Sequence, residues 1–197
     1  MRAAAERYYD DLFDVVRDIR VTDHKGAKLS FPDGVVEAVD LIMEQATGGN
    51  KVMFIGNGGS AAISSHMAID FWKNGGIKAM SFNDGAMLTC LGNDYGYSYV
   101  FEKPVGMFSE PGDVLVAISS SGKSENILRG ARMAESKGCR VITLSGFEED
   151  NPLSSLGEIN FYVPSKLYGP VEVIHHSICH CIMDGLLKVK NGQVQDR

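Results

Sequence analysis

The chain has 197 residues, 44% of them hydrophobic and 22% charged, enough apolar material for one sizeable core. Its formal charge of −6 argues against broad contact with nucleic acid or an anionic membrane, yet leaves room for a small anionic substrate held by a local nest of donors. The opening "MRAAAERYYDDLFDVV" lacks the apolar stretch of a signal peptide, and no apolar run approaches the roughly 18 residues of a membrane span. Cys90, Cys139, Cys179 and Cys181 follow no disulfide-scaffold spacing, so a cytoplasmic globular protein is expected.

In chain order, "AERYYDDLFDVVRDI" places Leu12, Val15, Val16 and Ile19 on one helical stripe. After a polar link, "PDGVVEAVDLIMEQA" repeats the pattern with Val35, Val39, Ile42 and Ala46, and Pro32 suits its first turn. Residues 1–48 therefore form a helical extension. Five strand candidates follow: "KVMFIG", "IKAMSF", "DVLVAIS", "RVITLS" and "INFYV". Several are almost uniformly apolar, as strands covered on both faces should be. Helical segments around 61–73, 86–92, 99–108 and 124–137 fit parallel crossovers, and a closing helix runs from about Pro170 to Lys190. No linker splits the chain, so 1–197 is expected to be a single α/β domain.

Two loops follow strands and open helices, "GNGGSA" at 56–61 and "AISSSGKSEN" at 117–126. In α/β sheets such loops face the ligand. The first also satisfies G-x-G-x-x-A, the dinucleotide fingerprint, with Asp84 as a late acidic partner; a plain tight turn explains the same glycines. The second ends in Gly-Lys-Ser like a nucleotide-binding P-loop, but Ala117 stands where the leading glycine belongs. What it offers is Ser119, Ser120, Ser121 and Ser124 beside a helix N-terminus, a setting for a phosphate monoester. Helix capping by Ser124 is the competing explanation, and four hydroxyls in six residues exceed what capping needs.

His66 and Asp70 stand four apart on one helix and share a face. In the last helix Glu172, His176 and His180 fall four apart along a polar stripe with Asp184, opposite Ile174, Ile178, Cys181, Ile182 and Leu186. Solvent alone would explain an isolated stripe; histidines opposite a phosphate loop favour a site. Cys179, His180 and Cys181 point in different directions on a helix, which weakens a Cys/His zinc motif. His175 falls near the apolar side, as a core or interface histidine would.

The blocks "FIGNGGSAAISSHMAID", "CLGNDYGY", "GDVLVAISSSGKSENIL", "VITLSG" and "VEVIHHSICHCIMD" together resemble the sugar isomerase (SIS) domain family, and within it the phosphoheptose isomerases. The resemblance implies a three-layer α/β/α sandwich on a five-stranded parallel sheet, flavodoxin-like, assembled as a homotetramer with active sites at subunit interfaces. It implies isomerisation of sedoheptulose 7-phosphate to an aldose heptose 7-phosphate through an enediol, for bacterial surface heptose. It carries substrate contacts onto Asn57, Gly58, Gly59, Asn93, Asp94, Ser119, Ser120, Ser121 and Ser124, and Ser60 and Glu172 are expected to bind substrate beside them. For proton transfer between C1 and C2, Asp70 is the expected base and His180 its assistant in ring opening or proton shuttling. A metal set, zinc in some members, falls on His66, Asp70, Glu172 and His180, and no nucleotide cofactor is expected. Two positions depart from the family pattern: Asp70 replaces a glutamate and Glu172 a glutamine. The alternative is a non-catalytic SIS protein that binds a sugar phosphate or a protein partner, as the replication-initiator-associating relatives do. Retention of His66, an acid at 70 and His180 speaks for catalysis.

Overall fold

The computed structural model describes residues 1–193, so the last four residues of the expected domain lie outside the described residues. The elements in order are α1 (Arg2–Arg17), β1 (Arg20–Asp23), β2 (Lys28–Leu29), α2 (Phe31–Thr47), β3 (Val52–Gly56), α3 (Gly59–Lys73), β4 (Ala79–Ser81) and α4 (Gly85–Asp94). A short 3-10 turn at Tyr97–Tyr99 leads to α5 (Glu102–Phe108), β5 (Val114–Ser119), α6 (Glu125–Ser136), β6 (Arg140–Gly146), β7 (Ile159–Val163) and α7 (Tyr168–Lys190). Among the described residues no helix is long and apolar enough to cross a membrane.

The five predicted strands form a parallel sheet in the order β7-β6-β5-β3-β4. Every residue of β3 and β5 is buried, which is why both read as unbroken apolar runs. On one face lie α2, α3 and α7, packed through Val39, Ile42, Met67, Phe71, Ile178 and Ile182. On the other, α5 and α6 contribute Val105, Ile127, Leu128 and Ala131. This is the expected three-layer sandwich.

The sheet has seven strands rather than five. The polar link between the first two helices folds into a hairpin, with β1 antiparallel to β7 (Val21 opposite Phe161) and β2 antiparallel to β1. Asp23 closes the turn, its Oδ1 accepting the N–H groups of Lys25 and Ala27, both at 2.8 Å. Only Val21 of this hairpin is fully buried, so it leaves almost no apolar signature. The N-terminal extension is thus not wholly helical, and α1 ends at Arg17, short of Ile19.

From β3 the chain steps outward to β4 and then returns across β3 to β5. The order therefore reverses between β3 and β5, and the crevice beyond their carboxyl ends is the switch point where such sheets bind ligands. The two glycine- and serine-rich loops leave from those ends.

Candidate active site

Asn57, Gly58, Gly59, Ser60, Ser119, Ser120, Ser121, Ser124 and Glu172 line one cleft of about 230 Å³, together with Tyr168 at the start of α7. Neither α3 nor α6 has a side-chain cap: Gly58 precedes one and Ser124 the other. The Ser124 hydroxyl lies 3.5 Å from that of Ser119 instead of satisfying its own helix, so the capping explanation fails. Two positive helix ends and their unsatisfied N–H groups converge here, the arrangement that suits a phosphate.

The loops are held in register by a reciprocal amide pair. Asn57 Nδ2 donates to Asn126 Oδ1 at 3.0 Å, Asn126 Nδ2 donates to Asn57 Oδ1 at 2.8 Å, and Tyr97 Oη donates to the same Asn57 oxygen at 3.1 Å. Gly59 is required by close packing: a Cβ there would fall 2.3 Å from Glu172 Oε2. Gly122 has φ +61°, and a Cβ on it would overlap Asn151 Oδ1.

Further along α3, where α7 packs against it, three imidazoles meet. His66 of α3 and His176 and His180 of α7 each bring one ligating atom within 4.8 Å of the others. Ring centroids are 5.1 Å apart for His66 and His176, 5.4 Å for His66 and His180, and 4.7 Å for His176 and His180. Asp70 Oδ2 lies 3.3 Å from His66 Nε2, and its Oδ1 accepts from Asn74 Nδ2 at 3.1 Å. Nε2 of His176 is buried with no hydrogen-bond partner. A buried polar atom left so costs about 1–3 kcal/mol, and a cation is one partner that would satisfy a ring nitrogen. Burial pushes His176 below the usual imidazole range, and His180 and His66 beside it add to the effect. The ring is therefore neutral near pH 7, the form that ligates metals. The donor set fits a nitrogen-preferring divalent ion such as zinc.

The structure thus joins His66 and His180, sets Asp70 against His66, and turns Glu172 toward the glycine loop. Asn93 and Asp94 are exposed at the end of α4, where Asn93 Nδ2 donates to Asp94 Oδ1 at 2.9 Å, outside the cleft lining of this chain. His175 is fully buried with Nε2 3.0 Å from the Ser145 carbonyl oxygen, and burial lowers its pKa to about 4. Cys179 is buried, whereas Cys181, expected on the apolar side, is exposed: two positions carry it about 200° round the helix from Cys179, so the face that buries one turns the other outward. A larger groove of about 520 Å³ opens at the amino ends of β6 and β7, lined by Asp23, Glu37, Asp40, Glu44 and Glu158 with Arg140. Its carboxylates would repel an anionic substrate.

Sequence reasoning missed three parts of this arrangement. His176 appeared only as a member of a stripe, because its meeting with His66 is tertiary. Asn126 carried a weak signal as the first-turn residue after Ser-Gly-Lys-Ser. Tyr97 carried none.

The SIS domain family profile matches residues 24–146, more than half of the chain. The chain belongs to the SIS domain family. A phosphoheptose isomerase of Helicobacter hepaticus is 35% identical over 156 residues, 76% of this chain and 79% of that protein. One from Shewanella oneidensis is 30% identical over 166 residues, covering 80% of this chain and 84% of its own. Among solved structures, the phosphoheptose isomerase of Neisseria gonorrhoeae superposes with a TM-score of 0.83 at 26% identity, over 94% of this chain and 98% of that one. That of Francisella tularensis gives 0.82 at 26% identity, over 94% and 97%. The likeness to these two solved SIS structures spans 94% of this chain, more than the 24–146 that the family profile matches.

Proposed function

We propose that this chain is a cytoplasmic aldose–ketose isomerase converting sedoheptulose 7-phosphate to D-glycero-D-manno-heptose 7-phosphate, a step toward bacterial surface heptose. One observation carries the proposal: the hydroxyl-lined pair of uncapped N-termini, those of α3 and α6, and the carboxylate–imidazole group of α3 and α7 are joined by α3, which contributes to both. The naming of the Helicobacter and Neisseria relatives as phosphoheptose isomerases supports the same substrate class.

In this mechanism the phosphate sits at the 119–124 loop, bound by the Ser119, Ser121 and Ser124 hydroxyls and the first N–H groups of α6. Glycines 58 and 59 let the backbone approach the substrate, and Glu172 accepts hydrogen bonds from sugar hydroxyls. His66 lies seven residues beyond Gly59, about 10 Å along α3, so an extended sugar chain brings its carbonyl end toward the imidazoles. Asp70 takes a proton from C1 of the open-chain ketose, and the electron pair moves through C2 onto O2. The O1 hydroxyl proton passes to O2 and Asp70 returns its proton to C2, leaving the aldehyde at C1. Proton count and charge close with Asp70 regenerated. The imidazole group steadies the charge on the oxygens, and a divalent ion bound there would supply Lewis-acid stabilisation of the enediolate.

The active unit is a homotetramer in this proposal. Tyr9 and Phe13 on α1, Ile69 and Trp72 on α3, and Val173 on α7 are large apolar side chains that this chain alone leaves exposed. A coupled assay across five-, six- and seven-carbon ketose phosphates, with and without zinc, tests the proposal. The seven-carbon substrate is expected to give the highest kcat/KM, and a preference for a shorter ketose would reassign the substrate.

A further inference from the structure

We infer that His176 is a ligand for a divalent cation, completing a three-nitrogen set with His66 and His180, and that Asp70 and Glu172 stand outside that set. The ligand set rests on geometry alone; only its consequence for catalysis rests on the proposed isomerase function.

Three observations converge. The ligating atoms of the three rings lie within 4.8 Å of one another, and no carboxylate joins that cluster among the described residues. His176 Nε2 is buried and unpartnered, which is costly for an imidazole that packs only to fill space. Each carboxylate already has another engagement. Glu172 packs its carboxylate on Gly59 at the cleft, and Asp70 is held between His66 and Asn74.

Three protein ligands and one open position are the pattern of catalytic zinc rather than of a closed structural site. The half-exposed His66 side chain leaves the cluster accessible from outside. Asp70 then fixes the His66 ring, as carboxylates behind metal-bound imidazoles do. The consequence is chemical. A carboxylate ligated to the ion has a lone pair engaged and accepts protons poorly, whereas an Asp70 outside the set keeps its basicity for C1 and C2.

The test uses the full-length protein stripped of metal and then loaded with zinc or cobalt, with no sugar present. X-ray absorption of the zinc-loaded wild type is expected to count three imidazoles. His176→Phe, which fills the space without a donor, is expected to weaken zinc and cobalt affinity by at least about a hundredfold, while Glu172→Gln stays within about threefold. Circular dichroism and melting establish that the variants fold; if His176→Phe does not, the imidazole count on the wild type decides. Two imidazoles plus carboxylate oxygen, wild-type affinity in folded His176→Phe, or a wild type that takes up neither ion at micromolar concentration would each overturn the assignment. A wild type that binds zinc on three imidazoles yet isomerises no ketose phosphate would leave the ligand set standing and remove the proposed function.

Discussion

Asn57 and Asn126 exchange two hydrogen bonds across the crevice between β3 and β5, at 3.0 and 2.8 Å, so each amide fixes the other. The pair ties the glycine loop to the first turn of α6, and Asn126 Oδ1 also accepts the Ile127 N–H at 3.0 Å. Asn126 is buried and is not among the residues lining that cleft, so its expected influence on a ligand there runs through the positioning of Asn57. Asn126→Ala is expected to raise KM about tenfold, the effect of losing roughly 1.4 kcal/mol of preorganised binding. A smaller change is expected in kcat. Steady-state kinetics check it, and an unchanged KM in a folded variant would refute the positioning role.

The serines of the second loop should behave differently from the acid of α3. Contacts to a remote phosphate act on ground state and transition state alike, so Ser119→Ala, Ser121→Ala and Ser124→Ala are expected to raise KM more than they lower kcat. Inorganic phosphate should inhibit the wild type competitively and the serine variants more weakly. Equal affinity in all three single variants would remove the phosphate from this loop.

Asp113, fully buried at the start of β5, is the clearest pH-dependent element outside the site. Burial opposes its charge, but the Lys51 N–H at 2.9 Å, the Lys51 ammonium at 2.5 Å and the Glu110 N–H at 2.7 Å outweigh that and hold it below the usual carboxylate range. A carboxyl depressed in the folded state contributes stability above its unfolded pKa of about 3.9, and loses it as pH falls through the lower folded value. Asp113→Asn is expected to cost about 2–4 kcal/mol at pH 7, with the gap narrowing below about pH 4. Urea unfolding at several pH values measures it; a gap that stays constant to pH 3 would contradict the linkage.

The exposed apolar residues of α1, α3 and α7 predict assembly. Light scattering at micromolar concentration is expected to give four times the 21.4 kDa chain mass. Trp72→Glu, at a position 54% exposed in the single chain, is expected to yield smaller species without loss of fold. A monomeric wild type would refute the assembly.

How much of this was legible in the sequence depends on where each signal resides. β3 and β5 are buried at every position, so their apolar runs marked strands without ambiguity. The β1–β2 hairpin buries one side chain fully and is built from turn geometry at Asp23, which composition does not display. The cleft residues were readable because they are contiguous in two loops. His176 and Asn126 were not, since each acquires its role from a partner more than 65 positions away, His66 and Asn57 respectively. Glu172 stood out through its place on the polar stripe of its helix, while its contact with Gly59 depends on how α7 packs on α3.

The most direct measurement of the central claim follows sedoheptulose 7-phosphate by NMR in deuterated buffer, with wild type and Asp70→Asn side by side. The wild type is expected to form the aldose 7-phosphate with deuterium incorporated at C2, because the proton that Asp70 moves between C1 and C2 exchanges partly with solvent. Asp70→Asn is expected to bind the ketose phosphate with little change in affinity while losing both conversion and exchange. Conversion at the wild-type rate by Asp70→Asn, or a wild type that binds the sugar phosphate and neither converts nor exchanges it, would contradict the account.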